Sequence, residues 1–99
     1  MLTMSRLSRE FVFLDVTTSH DLTLSTSEVA FIADPLAPPD PADWLPADLL
    51  NNEGWVVRKL VGPGHVDSTE LSAGDYQVWV RINDNPEAPV RRVGTLGVE

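Results

Sequence analysis

Two histidines and no cysteine set the range of chemistry open to this chain. A hydrolytic site needs a nucleophile, a base and a group that orients the base, and that base is most often histidine. His20 stands beside Asp21 between two strand-like stretches, and His65 follows the turn Gly62-Pro63-Gly64, so both read as exposed loop residues. Their wide separation carries no metal-binding spacing, and without thiolates neither a cysteine zinc site nor a cysteine nucleophile can form. Asp34, Asp40, Asp43 and Asp48 gather acids, yet they lack the alternating oxygen ligands around a glycine that a calcium loop uses. A paired-carboxylate hydrolase needs a deep cleft between large elements, which a chain of this size rarely offers. No glycine-rich phosphate loop occurs. The expectation is a non-enzymatic chain with no cofactor and no metal.

The remaining candidates for contact are large side chains. Trp55 reads as a core residue, whereas Trp44 adjoins a proline-rich stretch and Trp79 falls on a face shared with Gln77 and Arg81. An exposed tryptophan is a candidate interface anchor. Trp79 has a second reading, in which Arg81 or Arg91 stacks on its ring as a cross-strand pair.

These residues must be positioned by a single small domain, because 99 residues support one core and not two. The net charge of −8, with seven basic residues against fifteen acids, argues against nucleic acid as a partner, since phosphate neutralisation supplies most of that affinity. The charge is uneven: residues 1–57 carry two Arg and nine acids, residues 58–99 five basic residues and six acids. The acidic half reads as a solvated face, or as one that orients the domain on a basic partner. The longest apolar runs, such as Trp55-Val56-Val57 and Val78-Trp79-Val80, fall far short of the ~20 residues a membrane helix needs. A soluble, unprocessed protein with no membrane contact is expected.

Along the chain, residues 1–9 show no alternation and read as a flexible N-terminal arm, with Met1, Leu2, Met4 and Leu7 as its candidate partner contacts. Glu10-Phe-Val-Phe-Leu-Asp-Val-Thr-Thr18 is rich in aromatic and β-branched residues and reads as a strand. His20–Leu24 alternates weakly, and Ser27–Ala33 gives a further strand with Val29, Phe31 and Ala33 on one face. Four of the eight prolines fall between Asp34 and Asp43, which forces an extended loop; taken with its flank, the Pro-rich loop spans 34–48. Trp44–Leu50 fits either one helical turn or a short edge strand, with Leu45 beside Trp44 as a further contact candidate. Trp55–Val61 is a strand closed by Gly62-Pro63-Gly64.

The clearest alternation lies in Tyr76, Val78, Val80 and Ile82 against Gln77, Trp79 and Arg81, the pattern of a half-buried antiparallel strand. Val93, Leu96 and Val98 close the chain around Gly94, a candidate bulge. About seven short strands with turn signals between them predict an all-β fold, an immunoglobulin- or fibronectin-III-like β-sandwich over residues 10–99 without a disulfide. Leu71-x-x-Gly74-x-Tyr76 matches a tyrosine corner, in which the hydroxyl turns back onto the preceding corner. Residues 10–17 or 89–98 are expected at a sheet edge, the former the better partner contact because Pro89, Arg91 and Arg92 blunt the latter.

Leu60-Val-Gly-Pro-Gly64, Leu71-Ser-Ala-Gly-Asp-Tyr-Gln-Val-Trp-Val-Arg-Ile-Asn-Asp-Asn-Pro-Glu-Ala-Pro-Val-Arg91, Gly94-Thr-Leu96 and Glu28-Val-Ala-Phe31 carry a resemblance over about residues 10–98. The chain resembles a family of small virion-associated proteins of tailed bacteriophages of actinobacteria, encoded beside the major capsid protein and the head-to-tail connector. Gly74–Gly94 is its most specific part; the Pro-rich loop and the arm depart from it. The resemblance implies a structural role in a virion. The leading expectation is a decoration or minor capsid protein, made in the bacterial host cytoplasm, that docks on the major capsid protein at the capsid surface, with homo-oligomers admitted. A head-tail connector or tail-associated ring component, and a carbohydrate or cell-surface binding module using Trp44 or Trp79, are the alternatives.

Overall fold

A computed structural model describes residues 2–17, 21–51, 54–84 and 87–99. Seven strands build it: β1 (Leu2–Met4), β2 (Glu10–Val16), β3 (Thr26–Ile32), β4 (Leu45–Asn51), β5 (Trp55–Val61), β6 (Gly74–Asn83) and β7 (Val90–Val98). They form one mixed, curled sheet in the order β1-β7-β6-β3-β4-β5-β2. The expected all-β class is what the chain adopts.

β4 is the joint of this sheet. Its first half pairs with β3 (Val29↔Leu45 to Ser27↔Ala47) and its second half with β5 (Asp48↔Arg58 to Asn51↔Trp55). Pro46 falls in the first half, where it donates no ladder hydrogen bond. By changing partner in mid-strand, β4 turns β5 and β2 back toward the β3-β6-β7 portion. Val12 and Leu14 of β2, Val57 and Val61 of β5, Val29 of β3, Val78 and Val80 of β6 and Leu96 of β7 accordingly share one core. Val29, Val57 and Val78 are fully buried, and each such side chain contributes about 1.5–3 kcal/mol.

β6 follows its sequence pattern. Val78, Val80 and Ile82 are buried, Tyr76 packs on the same core, and Gln77, Trp79 and Arg81 take the other face. Against β7 the register shifts between Val78↔Gly94 and Trp79↔Arg92, so Val93 is the extra residue of a bulge beside Gly94, as the glycine suggests.

Three expectations are corrected. The N-terminal arm contains a strand: Leu2–Met4 lies parallel to Leu96–Val98, and Met4 is 8% exposed within the core. Backbone bonds from Arg6 N–H to Glu99 O and from Glu99 N–H to Met4 O extend that docking. The Pro-rich loop ends at a 3-10 turn, Pro41–Asp43, and Leu45 already starts β4, so Trp44–Leu50 is largely strand and the loop does not reach residue 48. Leu22–Ser25 forms a turn in place of a strand, held by Ser25 N–H to Leu22 O and by the Asp21 carboxylate, which accepts both the N–H and the hydroxyl of Thr23. Leu22 is nevertheless buried.

Candidate interaction surface

Among the described residues, β2 pairs with β5 alone and so leaves one edge open, as expected for residues 10–17. At the opposite end of the sheet order, β1 covers β7 only along Leu96–Val98, leaving Val90–Thr95 without an outer neighbour among the described residues. β2 is apolar on both faces. Val12 and Leu14 enter the core, while Phe11 and Phe13 face outward and are 43% and 56% exposed. Their ring centroids are 6.2 Å apart.

The outward face continues across β5 and β4. Arg58 lies opposite Phe13 in the β2–β5 register, and its guanidinium sits 4.4 Å from the centroid of Phe11. Its Nε donates to Asp48 Oδ2 at 2.9 Å across the β4–β5 pair. Both partners are substantially exposed, so this ion pair adds little stability. It does fix the guanidinium over the ring. Two exposed phenylalanines, an ordered arginine and an unpaired strand are the side-chain types and backbone geometry that protein interfaces favour.

The sequence-derived candidates distribute unevenly around this surface. Met1 lies outside the described residues. Leu2 is 46% exposed and lines a cleft with Phe13 and Val93, which makes it part of the surface. Met4 is in the core and Leu7, 80% exposed, sits in the turn where its N–H meets Ser5 Oγ. Leu45 is half-buried against the core. Trp44 is half-buried with the Arg81 guanidinium 4.6 Å from its ring centroid, so Arg81 stacks on Trp44 and not on Trp79. Trp79 is half-buried opposite Ala30, and its Nε1 is enclosed without a hydrogen-bond partner among the described residues. Tyr76, Gly74 and Leu71 stand as the corner requires: Tyr76 Oη donates to Ser72 O at 2.8 Å, Gly74 takes φ +148°, and Leu71 packs on the core. Phe11, Phe13 and Arg58 form an outward-facing group that the sequence pattern did not single out.

The polar cluster on the β3–β6 outer face is self-contained. Glu28 Oε1 accepts from Asn83 Nδ2 at 2.9 Å and from Arg81 Nη2 at 2.8 Å. The hydrogen bond from Asn83, with Arg81 beside it, outweighs partial burial and holds the Glu28 carboxyl below its ordinary range. The acids weighed for calcium serve the loop and the sheet: Asp34 Oδ1 accepts from Leu36 N–H, Asp43 Oδ2 from Asp40 N–H, and Asp48 pairs with Arg58. Among the described residues no three His, Asp or Glu side chains gather as a metal site. His65 Nδ1 accepts from Asp67 N–H, and His20 lies outside the described residues. No helix among the described residues is long and apolar enough to cross a membrane. Compared with known proteins, the chain matches no family model, no curated relative and no solved structure.

Proposed function

We propose that this chain is a bacteriophage virion structural protein, a capsid decoration or minor capsid protein that docks on the major capsid protein at the head surface and stabilises the shell. It does so without catalysis or a cofactor. The observation that carries the reading is the open β2 edge with Phe11, Phe13 and Arg58 on its outward side, a docking surface on an otherwise closed core. The sequence resemblance over residues 10–98 supplies the virion. We assign the fold as an immunoglobulin- or fibronectin-III-like β-sandwich; the passage of β4 from β3 to β5 and the Tyr76–Ser72 corner support that assignment.

A second reading, a ring component at the head-tail junction or tail, is favoured by the two unlike open edges, β2 and the first half of β7. Joining unlike surfaces head to tail generates rings when the rotation closes. The carbohydrate-module reading has less support, because Arg81 already occupies one face of Trp44 and Trp79 is half-buried. The test is the molar ratio of this protein to the major capsid subunit in purified particles, by quantitative mass spectrometry. A ratio of the same order as the capsid subunit is expected. A single ring's worth would transfer the assignment to the connector or tail, and absence from the particle would overturn both.

A further inference from the structure

The two open edges border a groove. Between the end of β2 and the start of β7 lies a cleft of about 270 Å³ whose floor is Leu22, Val80 and Ile82. A second cleft of about 330 Å³, between Leu2, Phe13 and Thr95, shares Asp15 and Val93 with the first, so the two run on as one groove. Its floor is core, already closed to within a few per cent exposure, whereas its lips Leu2, Phe13 and Val93 are 46%, 56% and 39% exposed. An occupant would therefore gain backbone hydrogen bonds along an edge and cover the lips, with no need to open the core.

The two lips are unequal as templates. β7 carries the bulge at Val93, and Pro89 precedes it, features that discourage pairing. β2 runs seven residues without proline, glycine or a register break. Its charged residues are Glu10 and Asp15, exposed acids on opposite faces of the strand, and Asp84 and Glu87 join Asp15 in lining the first cleft, where Arg91 is the one cation among the lining residues. β1 shows the manner of filling within the same fold: a short strand laid on an open edge with Met4 inserted into the core.

We infer that this groove accepts one extended segment of a partner polypeptide, added as a strand to β2, with alternating aliphatic side chains facing the groove and Lys or Arg at its ends. The aliphatic positions meet Leu2, Phe13 and Val93, and a basic end meets Asp15 and Glu87 at the rim of the first cleft. This inference goes beyond the virion reading and does not depend on it, since any protein presenting such a segment fits.

The probe is the peptide Lys-Val-Thr-Val-Thr-Val-Lys, titrated into the intact chain while amide signals and amide exchange are followed by NMR. Two control peptides replace both Lys by Glu, or N-methylate alternate backbone nitrogens. The expected result is saturable binding of the Lys peptide with slowed exchange in residues 10–16, at least about fivefold weaker binding of the Glu peptide, and none of the N-methylated one. Asp15→Lys, an exposed substitution, should remove most of the preference for the Lys over the Glu peptide while leaving the circular dichroism spectrum unchanged. No binding at millimolar peptide, equal binding of the Lys and Glu peptides, or signal changes confined to surfaces away from residues 10–16 and 90–95 would overturn the inference. Slowed exchange of 10–16 in the free protein as its concentration rises would identify a second copy as occupant and overturn it equally.

Discussion

The hydroxyl of Tyr76 donates to the carbonyl oxygen of Ser72 at 2.8 Å, four residues upstream, while the ring packs against the core. One side chain thus fixes the entry of β6 into the sheet, just after Gly74, whose φ of +148° a side-chain-bearing residue rarely adopts. Tyr76→Phe keeps the ring and deletes the bond, and is expected to cost about 1 kcal/mol in urea denaturation with an unchanged m value.

Gly62 meets a different constraint. Its φ is +131°, and a Cβ placed there would stand 2.2 Å from the backbone oxygen of Ser8 and 2.5 Å from Arg9 Cα. Arg9 Nη1 also reaches Pro63 O at 3.3 Å, so the segment leading into β2 lies directly on this turn. Gly62→Ala combines backbone strain with a clash against main chain, and a loss of at least about 2 kcal/mol is expected. The same measurement on Gly94→Ala provides the contrast, because a Cβ there meets no atom within 4 Å.

The Glu28 carboxyl gives the fold a pH dependence of known sign. Its folded-state pKa lies below the ordinary 4.5, first through Asn83 and then through Arg81, so its stabilising contribution is full above that ordinary value and is lost as pH falls through the lower folded value. Glu28→Gln should therefore lower the melting temperature at pH 7, with the difference from the parent chain shrinking steadily below about pH 4.5. A difference that stayed constant from pH 7 to pH 3 would contradict this origin.

Several of these features are legible in the sequence and others are not, for physical reasons. β6 is legible because one face is buried and the other is not, so Tyr76, Val78, Val80 and Ile82 alternate cleanly. An edge at residues 10–17 or 89–98 is legible, with Pro89, Arg91 and Arg92 singling out the former for contact, but the outward Phe11 and Phe13 hide in a strand that is apolar on both faces. β1 leaves no periodic trace: three residues are too few to alternate, and what orders them is pairing with Leu96–Val98 at the far end of the chain. β4 is ambiguous in pattern because it serves two partners and fully buries none of its residues. Which tryptophan receives Arg81 is decided by tertiary placement, which brings Trp44 under the guanidinium; strand alternation within β6 says nothing of it.

Phe13 separates binding from folding. At 56% exposure its ring is only partly covered, so its replacement by Ser should cost about 1–2 kcal/mol and leave the chain folded. If the β2 face is the docking surface, the same variant should fail to compete with the parent chain for particles lacking the protein, whereas Leu36→Ser, equally a substitution of an exposed apolar residue, should compete fully.

The most direct test of the account is amide hydrogen exchange of residues 10–16, measured on the free chain and on the chain bound to purified capsids. Exchange along this strand is expected to slow markedly on binding, while the buried amides of β3 and β6 change little. Equal protection of residues 10–16 in the two states, or failure of the chain to bind the particles, would contradict it.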